Sequence, residues 1–294
     1  MNDPFRHAPW DGLSKPFTIG MRPIAPTDWI EVDARLGTYL DEKALLEAAD
    51  LAAVFRAEPG TGAAQQELLD ILIGNLSAHH PETHRRHGDR IELPTADRTI
   101  DLDAGDPPLL TASRLVQEDI CLMHRTGEGW RLAAAALAFP SSWRLADKIG
   151  RPMAAIHAPV PGFAGRMDAM VTRIFDNLAP SQPVERFNWS LYDDERLHHP
   201  EPHPKTWRDA DGRLEPARIH VRVERQTLMR LPQSHDIAFT IRIHQGPAAL
   251  LAGTRSGRLL AADLEGLDSP QRAYKGWSAD ADDPIALFRK GAAR

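Results

Sequence analysis

The sequence holds a single cysteine, Cys121. One thiol excludes an intramolecular disulfide, a thiolate zinc cluster and a cysteine-ligated iron–sulfur cluster, and leaves only a haem-thiolate site open to it. Positive charge is in deficit: 35 Lys and Arg stand against 41 Asp and Glu, for a net charge of −6. An acidic chain is a poor nonspecific nucleic-acid binder, so no nucleic-acid partner is expected. Long apolar runs are missing as well. The most apolar stretch, Leu132–Phe139, is far too short to span a bilayer. The start, MNDPFRHAPWDG, has no basic residues followed by an apolar run, and the final FRKGAAR matches no lipidation signal. The expectation is a cytoplasmic protein without a membrane partner. There is no P-loop, HExxH, GxSxG or CxxC, and Gly127-Glu128-Gly129 lacks the third glycine of a dinucleotide fingerprint.

What is present is a chain with 42% apolar and 26% charged residues, an ordinary globular balance over 294 residues. Residues 1–40 carry Trp10, Pro16, Pro23, Pro26 and Trp29 and predict an extended arm packed on a core. Helical spacing marks Asp41–Ala57 and Gln65–Ala78, with Pro59–Gly62 breaking between them. From about residue 90 the pattern changes. Ile91–Leu93, Thr99–Leu102, Trp130–Phe139, Phe187–Tyr192, Ile219–Leu231 and Ile237–His244 predict strands, the last two an antiparallel pair. Ser113–His124 fits a helix or a strand. Trp143–Lys148 predicts a helical turn ended by Gly150, Met167–Leu178 a helix, and Leu250–Leu260 a final helical stretch. Helices first and an antiparallel sheet after them give an α+β fold. The divisions are 1–90, an N-terminal arm and helical region; 91–250, the sheet domain; and 251–294, a C-terminal extension packed on the same unit.

Two histidine clusters, His79/His80/His84/His87 and His198/His199/His203, offer imidazoles for a metal. Prolines interrupt both and no carboxylate completes a zinc pattern, so solvent-facing loop histidines are the favoured reading over a metal hydrolase. His157 lies in the apolar run Ala155–Pro161, which predicts burial, either as a satisfied core histidine or as a ligand. The strand Arg222–Leu231 carries polar groups on both faces: either an exposed, ion-paired edge or the wall of a polar pocket.

Several strings, taken in order, resemble one family. They are Leu115–Asp119, Pro140–Trp143 with Lys148-Ile149-Gly150, Ile156–Pro161, Asn188-Trp189-Ser190, Glu224–Leu228 with Arg230-Leu231-Pro232, Phe239–Arg242, and Tyr274-Lys275-Gly276. Together they are similar to the haem-dependent oxidative N-demethylase alpha-subunit-like family over roughly Met21 to Tyr274. The resemblance implies a PAS-like haem-binding domain with haem b as cofactor. It implies oxidation of a small secondary amine, such as dimethylamine, by dioxygen to a primary amine and formaldehyde. Its implied partners are a flavin and iron–sulfur reductase and a tetrahydrofolate-binding subunit. A haem-binding PAS sensor or electron-accepting subunit without turnover is the alternative. The resemblance makes His157 the expected axial ligand, with Cys121 the thiolate alternative, and Arg225 and Arg222 the expected propionate partners. Glu224, Glu118 and Asp119 are the expected anions for a substrate ammonium. Strand alternation sets Glu224, Gln226 and Leu228 on one side and Arg225, Thr227 and Met229 on the other. Arg225 is expected on the cofactor side, with Glu224 opposite unless a bulge re-aims it.

Overall fold

The computed structural model describes residues 3–10, 20–163, 165–277 and 282–290. Pro16 of the arm lies outside them. In chain order the elements are β1 (Arg22–Pro23), α1 (Leu36–Val54), β2 (Phe55–Ala57), α2 (Gly62–His79), β3 (Arg85–His87), β4 (Arg90–Leu93), β5 (Arg98–Asp101) and α3 (Pro108–Ser113). There follow β6 (Asp119–Thr126), β7 (Gly129–Ala136), α4 (Met153–Ile156), α5 (Arg166–Asp176), β8 (Val184–Tyr192), β9 (His220–Arg230) and β10 (Ile237–Pro247). The chain closes with α6 (Arg255–Glu265), α7 (Ser269–Tyr274) and α8 (Asp282–Lys290).

Seven strands form one antiparallel sheet in the order β1-β8-β9-β10-β6-β7-β2, and β3-β4-β5 form a small second sheet. The fold is α+β. β9 and β10 pair along their full lengths, from Ile237↔Arg230 to Pro247↔His220, as the alternation predicts. Ser113–His124 resolves into both of its alternatives: α3 ends at Ser113 and β6 begins at Asp119. The helical spacing of Asp41–Ala57 overruns the helix. Asp50 leaves helical geometry (φ −160°, ψ 92°), and Phe55–Ala57 become a strand. The reason is tertiary: the alanine-rich β7 needs a partner on its outer edge, and Phe55↔Ala136 to Ala57↔Ala134 supplies it.

Helices cover both faces of the sheet. Leu36, Leu40 and the buried residues of α2 and α3 pack with Met229 and Ala238. Farther along the same face, Val221 and Val223 meet α6, α8, Phe5 and Trp10, so the described part of the arm is packed on a core. The opposite face carries Cys121, Met123, Leu228, Ile241 and Ile243 under Phe163, Val171 and Phe175. Polar groups lock these layers. Lys43, 2% exposed, donates to the carbonyls of Ser113, Val116 and Glu118. Arg242 donates to Ile243 O and to Asp33 Oδ2 at 2.9 Å. No helix of the described residues is long and apolar enough to cross a membrane.

Candidate functional site

Pro152 opens the four-residue α4, and His157 caps its C-terminal end. Both the backbone N–H and the imidazole Nδ1 of His157 lie against Met153 O, at 3.1 and 3.0 Å. A carbonyl only accepts, so Nδ1 carries the proton and Nε2 is the lone-pair nitrogen. The ring is half-buried and stacks on Phe163, centroids 4.4 Å apart and planes 16° apart. Burial pushes its pKa down to about 4, reinforced by the charges of Lys148 and Arg186, so the imidazole is neutral at pH 7. A neutral ring with Nδ1 fixed on a carbonyl is the arrangement that prepares a histidine for a metal.

Facing His157 is the Glu224 side of the sheet. Asn188 Nδ2 and Gln226 Nε2 both donate to Glu224 Oε2, at 3.2 and 3.0 Å, and Arg186 donates to Gln226 Oε1 at 3.0 Å. Lys275 Nζ reaches Asn188 Oδ1 at 3.3 Å and Trp189 O. Gly276 makes that approach possible: its φ is +81°, and a Cβ there would lie 3.1 Å from His203 O. Lys148 lies over the Trp143 ring at 4.3 Å. Burial pushes Lys148 and Lys275 down to about 8 and Tyr274 up to about 12. Yet Lys148 and Lys275 are half-buried and Tyr274 is 46% exposed. All three sense the Glu224 charge, and on the same side of the sheet Ile156, Val160, Phe163 and Ile241 belong to one apolar cluster.

This geometry offers a neutral imidazole, apolar side chains and cations around one carboxylate. A haem needs the first three, so the residues present fit that group. The family comparison decides the class. The model of the haem-dependent oxidative N-demethylase alpha-subunit-like proteins matches residues 20–283. The chain belongs to that family. Haem dependence is therefore a family property, and the description of an alpha subunit implies a complex of several chains.

The other residues expected from this N-demethylase-like sequence are placed elsewhere. Arg225 lies on the far face from His157. Its Nε meets Glu185 Oε2 at 2.7 Å, Nη1 meets Trp29 O at 3.1 Å, and Nη2 meets Asp28 O. Arg222 is on the His157 side but wholly buried, donating to Leu197 O at 2.9 Å and Phe139 O at 2.7 Å. Both forks are committed to structural carbonyls or to Glu185. The expected propionate role for Arg225 and Arg222 is revised accordingly, and Arg225 and His157 are not brought together. The alternation itself is as expected, with Glu224 rather than Arg225 on the His157 side.

Glu118 and Asp119 are also withdrawn from substrate. Asp119 is 0% exposed and accepts from Ala138 N and Phe139 N at 2.8 and 2.9 Å; Glu118 Oε1 accepts from Glu31 N at 3.0 Å. Burial raises the pKa of both carboxyls. Cys121 is buried in the sheet, and burial with the Asp119 charge raises its thiol pKa, which opposes a thiolate ligand.

His79 and His87 are exposed, as expected, but several other members of the histidine clusters are not solvent-facing. His84, 3% exposed, bonds Leu115 O at 2.8 Å. His199, also 3% exposed, bonds Arg196 O at 2.8 Å, while His198 meets Ala138 O and His203 meets Asp193. Among the described residues, the three possible ligands that converge within 4.8 Å are instead His7, Glu31 and His244. Arg6 at 2.8 Å and Arg225 at 3.6 Å already share that carboxylate, which opposes a cation there.

Arg186 had no assigned role from sequence, and Lys148 and Lys275 were quoted only within family strings. Their signal was the unexplained polarity of β8 and of the Tyr274-Lys275-Gly276 turn. Nothing in the spacing said that residues 148, 186, 188, 224 and 275 meet.

Proposed function

We propose that this chain is the haem-binding oxygenase subunit of an oxidative N-demethylase, with the sheet region (91–250) serving as a PAS-like domain between the N-terminal region (1–90) and the C-terminal extension (251–294). The observation that carries this reading is His157: neutral, with Nδ1 held by Met153 O and no hydrogen-bond partner on Nε2 among the described residues. Nε2 would bind the iron. Ile156, Val160 and Phe163 would exclude water from the ring face, and Lys148, Arg186 and Lys275 would supply the positive charge for the two propionates. Haem b is the form that the family resemblance implies, and a lone buried cysteine cannot make the thioether pair of a c-type haem.

The haem iron, once reduced, would supply dioxygen activation. Glu224, steadied through Oε2 by Asn188 and Gln226, would hold a substrate ammonium by charge. The substrate is a small secondary amine of the dimethylamine type. The overall change would place one atom of dioxygen into an N-methyl C–H bond and reduce the other to water with two electrons and two protons. The resulting carbinolamine passes its hydroxyl proton to nitrogen, breaks its C–N bond and releases formaldehyde and the primary amine. One cysteine and no dinucleotide fingerprint leave the chain unable to carry those electrons from a nicotinamide, so a flavin and iron–sulfur reductase would deliver them. A tetrahydrofolate-binding subunit would receive the formaldehyde, in the cytoplasm.

The test is an absorption spectrum of the purified chain with hemin, beside His157→Ala. The wild type should show a Soret band and, with dimethylamine, dioxygen and a surrogate reductase, release formaldehyde. His157→Ala should lose the haem. A chain that takes up no hemin, or a variant with an unchanged spectrum, overturns the reading. Haem uptake without formaldehyde from any methylamine tried would overturn the demethylase half of it.

A further inference from the structure

The segment from His157 to Phe163 is built as a clasp. Val160 N bonds His157 O at 2.8 Å and Phe163 N bonds Val160 O at 3.1 Å, making two successive turns. Pro159 and Pro161 restrict the chain between them. Gly162 sits at φ +75° with nothing within 4 Å of a would-be Cβ, so the glycine is required by the backbone and not by space. The result returns Phe163, 5% exposed, onto the face of the imidazole six residues earlier.

His157 is thereby held in two ways. Met153 O fixes the Nδ1 edge, and Phe163 lies against one face at 4.4 Å with a 16° interplanar angle. Rotation about Cβ–Cγ breaks the hydrogen bond and the stack together. Nε2 has no hydrogen-bond partner among the described residues. A residue that merely filled the core would need no such coplanarity, since aromatic pairs sample edge-to-face arrangements as readily.

We infer that Phe163 is a positioning residue for the metal-binding edge of His157: its stacked ring sets the plane in which Nε2 meets a haem. This rests on the reading of His157 as the axial ligand, and it concerns the orientation of the ring rather than its identity.

Phe163→Leu keeps an apolar side chain and removes the stack; Phe163→Tyr keeps the stack. In the haem-free protein, nitrogen-15 imidazole spectra of Phe163→Leu should show a mixed His157 tautomer, while Phe163→Tyr matches wild type. In the haem-loaded protein, Phe163→Leu should release hemin to apomyoglobin about five-fold faster and shift the Soret maximum. Phe163→Tyr should restore both. Urea midpoints of the variants separate these effects from global loss of stability, and Phe163→Met replaces Phe163→Leu if the latter does not fold. Unchanged tautomer and release in the stack-removing variant, with haem lost from His157→Ala, overturn the positioning role and leave the ligand standing. Haem retained unchanged by His157→Ala overturns the ligand, whatever the apoprotein spectra show.

Discussion

His199 and His244 are 3% and 1% exposed. Burial pushes both down to about 4, helped at His199 by the Arg222 charge and opposed at His244 by its bond to Glu31. An unfolded histidine titrates near pH 6.5. Between that pH and about 4 the unfolded chain binds two protons that the folded chain refuses, so stability rises with pH across this window and is lost as pH falls through it. These two groups together set a slope of up to about 2.7 kcal/mol per pH unit. His157, also pushed down to about 4, adds to this slope; urea midpoints measured from pH 7 to pH 4 should follow the fall, and His244→Gln should remove about a third of it. Lys43 offers a second check at this scale. Lys43→Met strands three buried carbonyls and the buried Asp119 charge beside it, which should cost about 3–5 kcal/mol in denaturant unfolding. A loss below 1 kcal/mol would mean that the ammonium is not the tie between α1 and the start of β6.

At the scale of elements, β10 shows how closely the arm is fitted. A Cβ on Gly246 would lie 2.7 Å from Pro4 Cγ and 3.2 Å from Phe5 Cζ. Gly246→Ala should lift residues 3–10, expose Trp10 from its bond to Ser256 Oγ and red-shift tryptophan emission, with faster proteolysis near the N-terminus. Unchanged emission and cleavage would show the arm free to shift aside. β9 and β10 were legible in the sequence because each repeats with period two over a long run. α2 was legible because Leu68, Leu69, Leu72, Ile73 and Leu76 make one stripe. β2 was not, because three residues that continue a helical stripe obey β7 instead. Neither was the short β3, whose residues are exposed and carry no burial pattern. α7 had a readable start, since Asp268 and Gln271 form a reciprocal cap that the leucine pattern upstream obscured. For the site, the sequence showed that Glu224 and Arg225 must part company across β9. It could not show which of them shares a side with His157, because that depends on how residues 153–163 cross the sheet.

At the scale of the molecule, both edges of the large sheet come from the first part of the chain. β1 covers β8 and β2 covers β7, while the middle is the β9–β10 hairpin. A chain lacking residues 1–57 therefore presents two bare edges, and it should scatter light and associate where the full chain does not. Monodisperse behaviour of that truncation would show the edges protected by other means. The same arrangement sets a schedule for biosynthesis. β1 leaves the ribosome roughly 160 residues before its partner on β8, a wait of about 8–30 s at typical elongation rates. β8 and the β6–β7 pair then remain two separate pieces until the hairpin that joins them has emerged. Nascent chains stopped before residue 247 hold both outer borders of a sheet and lack its centre, so arrest or pausing upstream of that point leaves the earliest-made strands waiting for the latest.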